Sequence, residues 1–290
     1  MIDEVDFYLE DLKSKFKKID FTKFYLAYSG GRDSHFLFWF IKTILKDETI
    51  KIISVNTRLE HPEISTRMYN NADKVLIPKL TPQEIKEKVG IPCFTKQQDD
   101  YISRFQRGSR ALSTLDFING HKKTKFKMSN RPRELLLNNK LHKISSKCCE
   151  YLKKKPFKEF EKRTGLKSIQ GIRSSESIMR NKYKTCFHKN GSFTPIHDLT
   201  DDLLKKIEVK FNIEIPKIYK YLKRTGCMGC PYGRNIELEL SLLNEVQRKK
   251  TIEYFEESYI LKNIQLDIKQ LTEWFKTDEL ERPQKKLSLN

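Results

Sequence analysis

Ile2, Val5, Leu9, Leu12 and Phe16 recur at steps of three and four, which predicts an opening amphipathic helix that ends near Asp20. The period then changes. Phe24–Tyr28 is a short apolar run that reads as a strand, and beyond the glycines His35 to Lys46 reads as a largely buried helix. "IKIISVN" (50–56) is a second core strand, with "KVLIP" (74–78) and "SIQGI" (168–172) as further candidates. Strands alternating with helices at this spacing imply a parallel sheet covered on both faces, so the expected fold class is α/β with a doubly wound, mainly parallel sheet. Between about 98 and 147 the pattern weakens into polar, basic sequence, expected as a helical insert between sheet strands. From Ile236 onward the period is helical and nearly free of Gly and Pro, which predicts a helical C-terminal tail packed on a main domain of residues 1–235. The chain shows no internal repeat and no low-complexity linker.

Length and composition allow a proper core: 290 residues, 38% of them hydrophobic. No apolar run of about 18 residues appears, and the opening "MIDEVDFYLEDLK" has neither the cationic start nor the apolar stretch of a signal peptide, so a cytoplasmic protein without a membrane partner is expected. Charge changes the picture more. The 57 Lys and Arg against 38 Asp and Glu give a net charge of +19, and the positive residues bunch within 121–184. An imbalance of this kind attracts polyanions, by counterion release and by steering, which makes nucleic acid or nucleotides the first partners to consider.

"FYLAYSGGRDSHFLFWF" (24–40) joins the first strand to the second helix through two glycines. A strand that runs into Ser-Gly-Gly and then a helix brings backbone N–H groups and the positive helix end to one point, which favours an anion. Glycine permits the close approach, because a Cβ would block both positive-φ conformations and the phosphate. Ser29 and Ser34 can add hydroxyl donors, and Asp33 can cap the helix or meet a magnesium ion on the phosphates. No Lys-Ser or Lys-Thr follows at the Walker A spacing, which excludes a P-loop NTPase.

"YSGGRDS" resembles the SGGxDS pyrophosphate loop of the N-type ATP pyrophosphatases and the phosphoadenylyl-sulfate reductase superfamily (PAPS/APS reductase-like, PP-loop proteins). "VNTRLEHPE" (55–63) resembles that superfamily's second motif, with Arg58 where glycine is common; "GIRSSESIMR" (171–180) resembles its arginine loop; and "FTPIHDLTDDLL" (193–204) its Pro-Ile-x-Asp segment, with Leu199 in place of the common Trp. The resemblance covers roughly residues 20–235 and implies an adenine nucleotide alpha-hydrolase-like sheet with ATP, or another adenine nucleotide, and Mg2+ at its carboxyl edge. Carried over position by position, it implies Ser29, Gly30, Gly31, Arg32, Asp33 and Ser34 as the phosphate cradle, Arg173 as a phosphate clamp, Arg180 as a second clamp, and Glu60 or Glu63 as groups orienting the nucleotide. Asp33 and Arg173 are the expected catalytic residues.

Six cysteines in a reducing compartment point to buried thiols, metal ligands or nucleophiles before disulfides. Cys227 and Cys230 form a CxxC turn, which taken alone is open to zinc, iron–sulfur or redox use. "CCEYLKKKPF…RTGCMGC" resembles the CC…CxxC set of iron–sulfur sulfonucleotide reductases, and similar endings occur in the sulfur-inserting enzymes of DNA phosphorothioation. That implies a 4Fe-4S cluster ahead of zinc, on four of Cys148, Cys149, Cys186, Cys227 and Cys230. Cys93 is expected to be a buried small hydrophobe.

Three functions compete. An ATP-dependent sulfur-transfer enzyme acting on DNA or tRNA, supplied by a cysteine desulfurase or another sulfur donor, accounts for loop, cysteines and charge together. A sulfonucleotide reductase accounts for the loop and the cluster, but its family attacks with a cysteine in a C-terminal segment, and no cysteine follows Cys230 here. A non-catalytic nucleotide-binding scaffold is the third.

Overall fold

The computed structural model describes residues 3–120, 127–176 and 185–264. In chain order it contains α1 (Glu4–Phe16), β1 (Phe24–Ala27), α2 (Arg32–Trp39), β2 (Lys51–Val55), α3 (Pro62–Asn71), β3 (Lys74–Leu76), α4 (Pro82–Val89), α5 (Lys96–Gln106), α6 (Leu112–Asn119), α7 (Asn130–Leu137), α8 (Lys155–Thr164), β4 (Lys167–Ile169), α9 (Asp201–Lys210), α10 (Ile236–Ser241) and α11 (Glu245–Lys262). The buried helix expected over 35–46 starts earlier, at Arg32, and its last stretch, Phe40–Leu45, is π-helical before Lys46 ends it in the left-handed conformation.

The four strands form one parallel sheet in the order β3-β2-β1-β4. Side-chain alternation along β1 explains how both faces are covered. Leu26 packs with Ile52 and Ile169 into a large cluster that includes Val5, Leu9, Leu12 and Phe16 of α1, Phe36 and Leu37 of α2, and Leu204 and Ile207 of α9. Tyr25 points the other way, where it joins Ile53 and Phe160 of α8, with Phe157 and Leu76 packed around them. The sheet is therefore doubly wound, as its apolar strands required. Because β1 pairs with β2 on one side and β4 on the other, the strand order reverses at β1/β4, the place where the loops from the carboxyl ends of an open α/β sheet run in opposite directions.

The chain divides into two units: Met1–Glu84 with Cys149–Thr225, which holds the sheet, and Ile85–Cys148 with the chain from Gly226. The insert thus begins before the expected position 98 and takes the C-terminal segment with it, so the break expected at 235 falls inside the second unit. Specific bonds account for this pairing. Ser258 Oγ of α11 donates to Pro92 O at 2.7 Å, and Arg131 donates to Asn263 Oδ1 at 2.6 Å. The second unit has a core of its own, built on Cys93, Ile102, Phe117, Ile118, Met128, Leu136 and Ile144. Among the described residues, no helix is long and apolar enough to cross a membrane.

Candidate functional site

The turn after β1 is shaped by glycine at two positions and by a serine pair. Gly30 has φ +71°, and a Cβ there would lie 2.8 Å from Ile64 O of α3, so both conformation and space require glycine. Gly31 caps α2 with no side-chain bond of its own. Ser29 Oγ and Ser34 Oγ are 2.9 Å apart, Ser34 Oγ donates to Gly31 O at 3.1 Å, and Ser29 N donates to Ser34 Oγ at 3.2 Å. The two hydroxyls expected in the phosphate cradle therefore hold the turn closed from inside. From the neighbouring strand, Gly171 lies against the start of α2, where a Cβ would meet Ser34 N at 2.9 Å. This close approach explains the glycine two residues before Arg173.

Two of the three arginines expected at the phosphate, Arg32 and Arg173, are tied to carboxylates. Arg32 Nε donates to Glu208 Oε1 at 2.6 Å, and its Nη2 to Glu208 Oε2, a bidentate pair with a nearly buried glutamate of α9. Arg173, 6% exposed, donates from Nε to Asp33 Oδ1 at 2.9 Å and from Nη1 to Asp201 Oδ1 at 2.7 Å. A buried guanidinium demands such partners, since an uncompensated charge in a low dielectric is expensive. Burial pushes the Asp33 carboxyl above its ordinary range against the pull of Arg173, whereas the Arg173 hydrogen bond holds the more exposed Asp201 below its own. The two guanidiniums are thus already paired with three carboxylates, and a further cation, Arg224, acts on Asp33.

The second motif does structural work around the same turn. Glu60 accepts from Thr57 N at 3.0 Å and from Thr57 Oγ1 at 2.5 Å, which closes its own loop. Arg58 takes φ +66°, the left-handed conformation glycine would adopt there. Glu63 accepts from Lys217 N at 2.6 Å and Ile218 N at 3.2 Å, at the start of a 3-10 helix, Lys217–Lys220, that carries Tyr219. Tyr219 Oη in turn accepts the Arg32 N–H of the loop at 3.0 Å. Tyr219, Glu208 and Asp201 were not individually legible in the sequence; Asp201 alone had a local signal, because it follows the helix-capping Thr200 in a segment already marked as a motif. Arg180 lies outside the described residues.

The cysteines separate. Cys186 belongs to the sheet unit, where its backbone carbonyl accepts from Thr194 N at 2.8 Å and its thiol, raised by burial, feels Lys15 and Asp198. Cys149 falls in that unit too, while Cys148, Cys227 and Cys230 belong to the other. These last three share one neighbour: the buried Tyr254 hydroxyl, hydrogen-bonded to Cys148, is pushed far up by burial first and then by all three sulfurs. By chemistry, thiols suit a thiophilic centre. By arrangement they do not close one, since among the described residues no group of three or more His, Cys, Asp or Glu is placed to hold a metal ion. Cys93 is fully buried, as expected, with its thiol pushed up to about 12 by burial.

No protein-family model and no curated protein matches the chain. Among solved structures, it is similar to the phosphoadenylyl-sulfate (PAPS) reductase from Candida auris in its phosphate complex, at 11% identity and a TM-score of 0.42, covering 76% of this chain and 86% of that one. It is also similar to the NH3-dependent NAD synthetase from Campylobacter jejuni subsp. jejuni in complex with nitrate, at 15% identity and a TM-score of 0.35, covering 96% and 97%. At these values neither likeness assigns a role to any residue of this chain.

Proposed function

We propose that this chain is an adenine-nucleotide-using enzyme that seats the phosphates of ATP in the turn Ser29–Ser34. One observation carries the reading: the turn leaves the carboxyl end of β1 where the strand order reverses, carries glycine at Gly30 and Gly31, and leads directly into the N-terminus of α2. Arg32 and Arg173 are already paired with Glu208, Asp33 and Asp201, so the reading draws the attraction for a polyphosphate from the helix end, the loop N–H groups and a magnesium ion that partly neutralises the nucleotide. Asp33, on the first turn of α2, is the carboxylate in position to serve that ion. Arg173 fixes Asp33 and so acts as a positioning residue.

The finer reading is sulfur transfer to nucleic acid. An acceptor oxygen attacks the α-phosphorus and pyrophosphate departs; a sulfide-level nucleophile from a desulfurase-type donor then displaces AMP, leaving sulfur in place of that oxygen. Supporting the polymer half are the net charge of +19 and, in the second unit, Arg104 and Arg110 stacked over Tyr101 and Phe105 at 5.1 and 4.3 Å. Supporting the sulfur half are Cys148, Cys227 and Cys230 around Tyr254. Equilibrium dialysis with ATP in the presence and absence of magnesium tests the nucleotide reading, which fails if the protein binds neither form. Pyrophosphate release that needs nucleic acid, followed by AMP release that needs the sulfur donor, with sulfur found in the polymer by mass spectrometry, tests the finer one. Iron and sulfide assay of anaerobically purified protein decides whether the cysteines carry a cluster.

A further inference from the structure

An orphan N–H at the start of α2 has found a partner from far along the chain. Arg32 is the first residue of that helix, and its amide is one of those that no helical carbonyl can satisfy. It donates to Tyr219 Oη at 3.0 Å, across 187 residues of sequence. The same hydroxyl lies 2.9 Å from Thr225 Oγ1, and 2.9 Å from where a Cβ of Gly31 would stand. A neutral phenol oxygen thus covers the glycine that leaves the turn open and takes a hydrogen bond from its helix. Glu63 holds the carrier in place, since its carboxylate accepts the first two N–H groups of the 3-10 helix that bears Tyr219.

We propose that Tyr219 is a built-in occupant of the phosphate seat: its hydroxyl stands where a phosphate oxygen of the nucleotide binds, and the nucleotide enters by displacing it. This rests on the nucleotide reading above. The Arg32 N–H is a single donor, so a phosphate oxygen that takes it takes it from Tyr219. Tyr219 and Thr225 then set the affinity of the loop without belonging to its motif, and segment 216–225, anchored at Glu63, is the element that moves.

The test is equilibrium binding of ATP with magnesium, and separately of pyrophosphate, to the full chain and to Tyr219→Phe. The substitution keeps the ring and leaves the Arg32 N–H without a partner in the unbound protein. One neutral hydrogen bond lost from the unbound state tightens binding by about two- to tenfold. Thr225→Val, which removes the second partner of the hydroxyl, tightens it by less and keeps the inference testable should Tyr219→Phe fail to fold. Circular dichroism checks the fold of each variant. Binding by Tyr219→Phe where the wild type binds too weakly to measure also supports displacement. Unchanged or weaker binding in the folded variants, with wild-type binding intact, overturns it and leaves Tyr219 as a structural cap or a ligand donor. If wild type and variants all fail to bind, the nucleotide reading itself falls and takes this inference with it.

Discussion

Arg173→Met removes the guanidinium at the centre of the charge cluster while keeping an unbranched side chain of similar reach. Asp33, whose side chain is only 16% exposed, then loses the cation 2.9 Å away. At that distance and an effective dielectric of 20 the lost attraction is about 6 kcal/mol. The carboxylate has a cheaper escape, which is to take up a proton. Starting from an ordinary value of 3.8, holding Asp33 protonated costs about 1.4 kcal/mol for each pH unit above it, hence about 4 kcal/mol at pH 7 and about 1.6 at pH 5. Protonation therefore caps the loss, below these figures because burial already holds wild-type Asp33 above 3.8. Asp201, 63% exposed, returns to water at little cost. In the variant the folded state keeps a proton that the unfolded chain gives up above 3.8, so the penalty is small in acid and grows as pH rises. Urea denaturation of wild type and variant at pH 7 and pH 5 measures it. The double variant Arg173→Met with Asp33→Asn, which removes the stranded charge, recovers most of the loss at pH 7. A penalty equal at both pH values, or a double variant no more stable than the single one, would refute the account.

Further outcomes follow from the same geometry. Gly30→Ala forces a Cβ into the left-handed region and against Ile64 O; the strain costs about 1–2 kcal/mol in denaturant titration, and ATP binding measured by dialysis is lost. His35 is held neutral by burial, with Arg67 adding to the effect, at about 4 instead of 6.5, and its Nδ1 lies 3.0 Å from the Tyr28 hydroxyl. The folded state therefore resists a proton that the unfolded chain accepts: stability is full above pH 6.5 and falls between 6.5 and about 4, by up to about 3 kcal/mol, and His35→Gln flattens that slope in pH-dependent urea melts. Asp99 is fully buried and accepts from Cys93 N at 2.6 Å, Phe94 N at 3.0 Å and Tyr232 Oη at 2.7 Å. Asp99→Asn turns an amide NH2 towards those donors, costs about 2 kcal/mol in urea denaturation, and frees Tyr232, two residues past Cys230, so that iodoacetamide labels Cys230 faster.

The sheet was legible because its strands are short apolar runs buried on both faces, whose alternation is hidden but whose extent is not. Phe24–Ala27, Lys51–Val55, Lys74–Leu76 and Lys167–Ile169 lie within the expected stretches to a few residues at each end. Boundaries slipped where capping decides them: α2 starts at Arg32, three residues before His35, because Gly31 caps it without a side-chain signal. The second unit was hidden for a different reason. Its two halves lie more than 75 residues apart in sequence, and the contacts that join them, such as the bond from Ser258 to Pro92 and the packing of Leu261 on the insert's core, are ones that no periodicity announces.

At the site, the glycines were legible and the partners of the charges were not. A strand, two glycines and a helix define a local geometry that sequence spacing carries almost completely. An arginine beside such a turn carries no record of what it faces, and the anion it seeks can be a ligand or a carboxylate of the same chain. Burial decides between them. Arg173 and Arg32 sit where a guanidinium without a permanent counter-charge would destabilise the unbound fold, so the chain supplies Asp33, Asp201 and Glu208. For sulfur, spacing carries nothing of what surrounds Cys186: the next residue, Phe187, stacks on Phe193 at 4.7 Å, and Phe193 bridges to Ile169 of β4. What the turn after β1 can bind is therefore set by residues up to 187 positions away, whose charge or hydroxyl is already engaged before any ligand arrives.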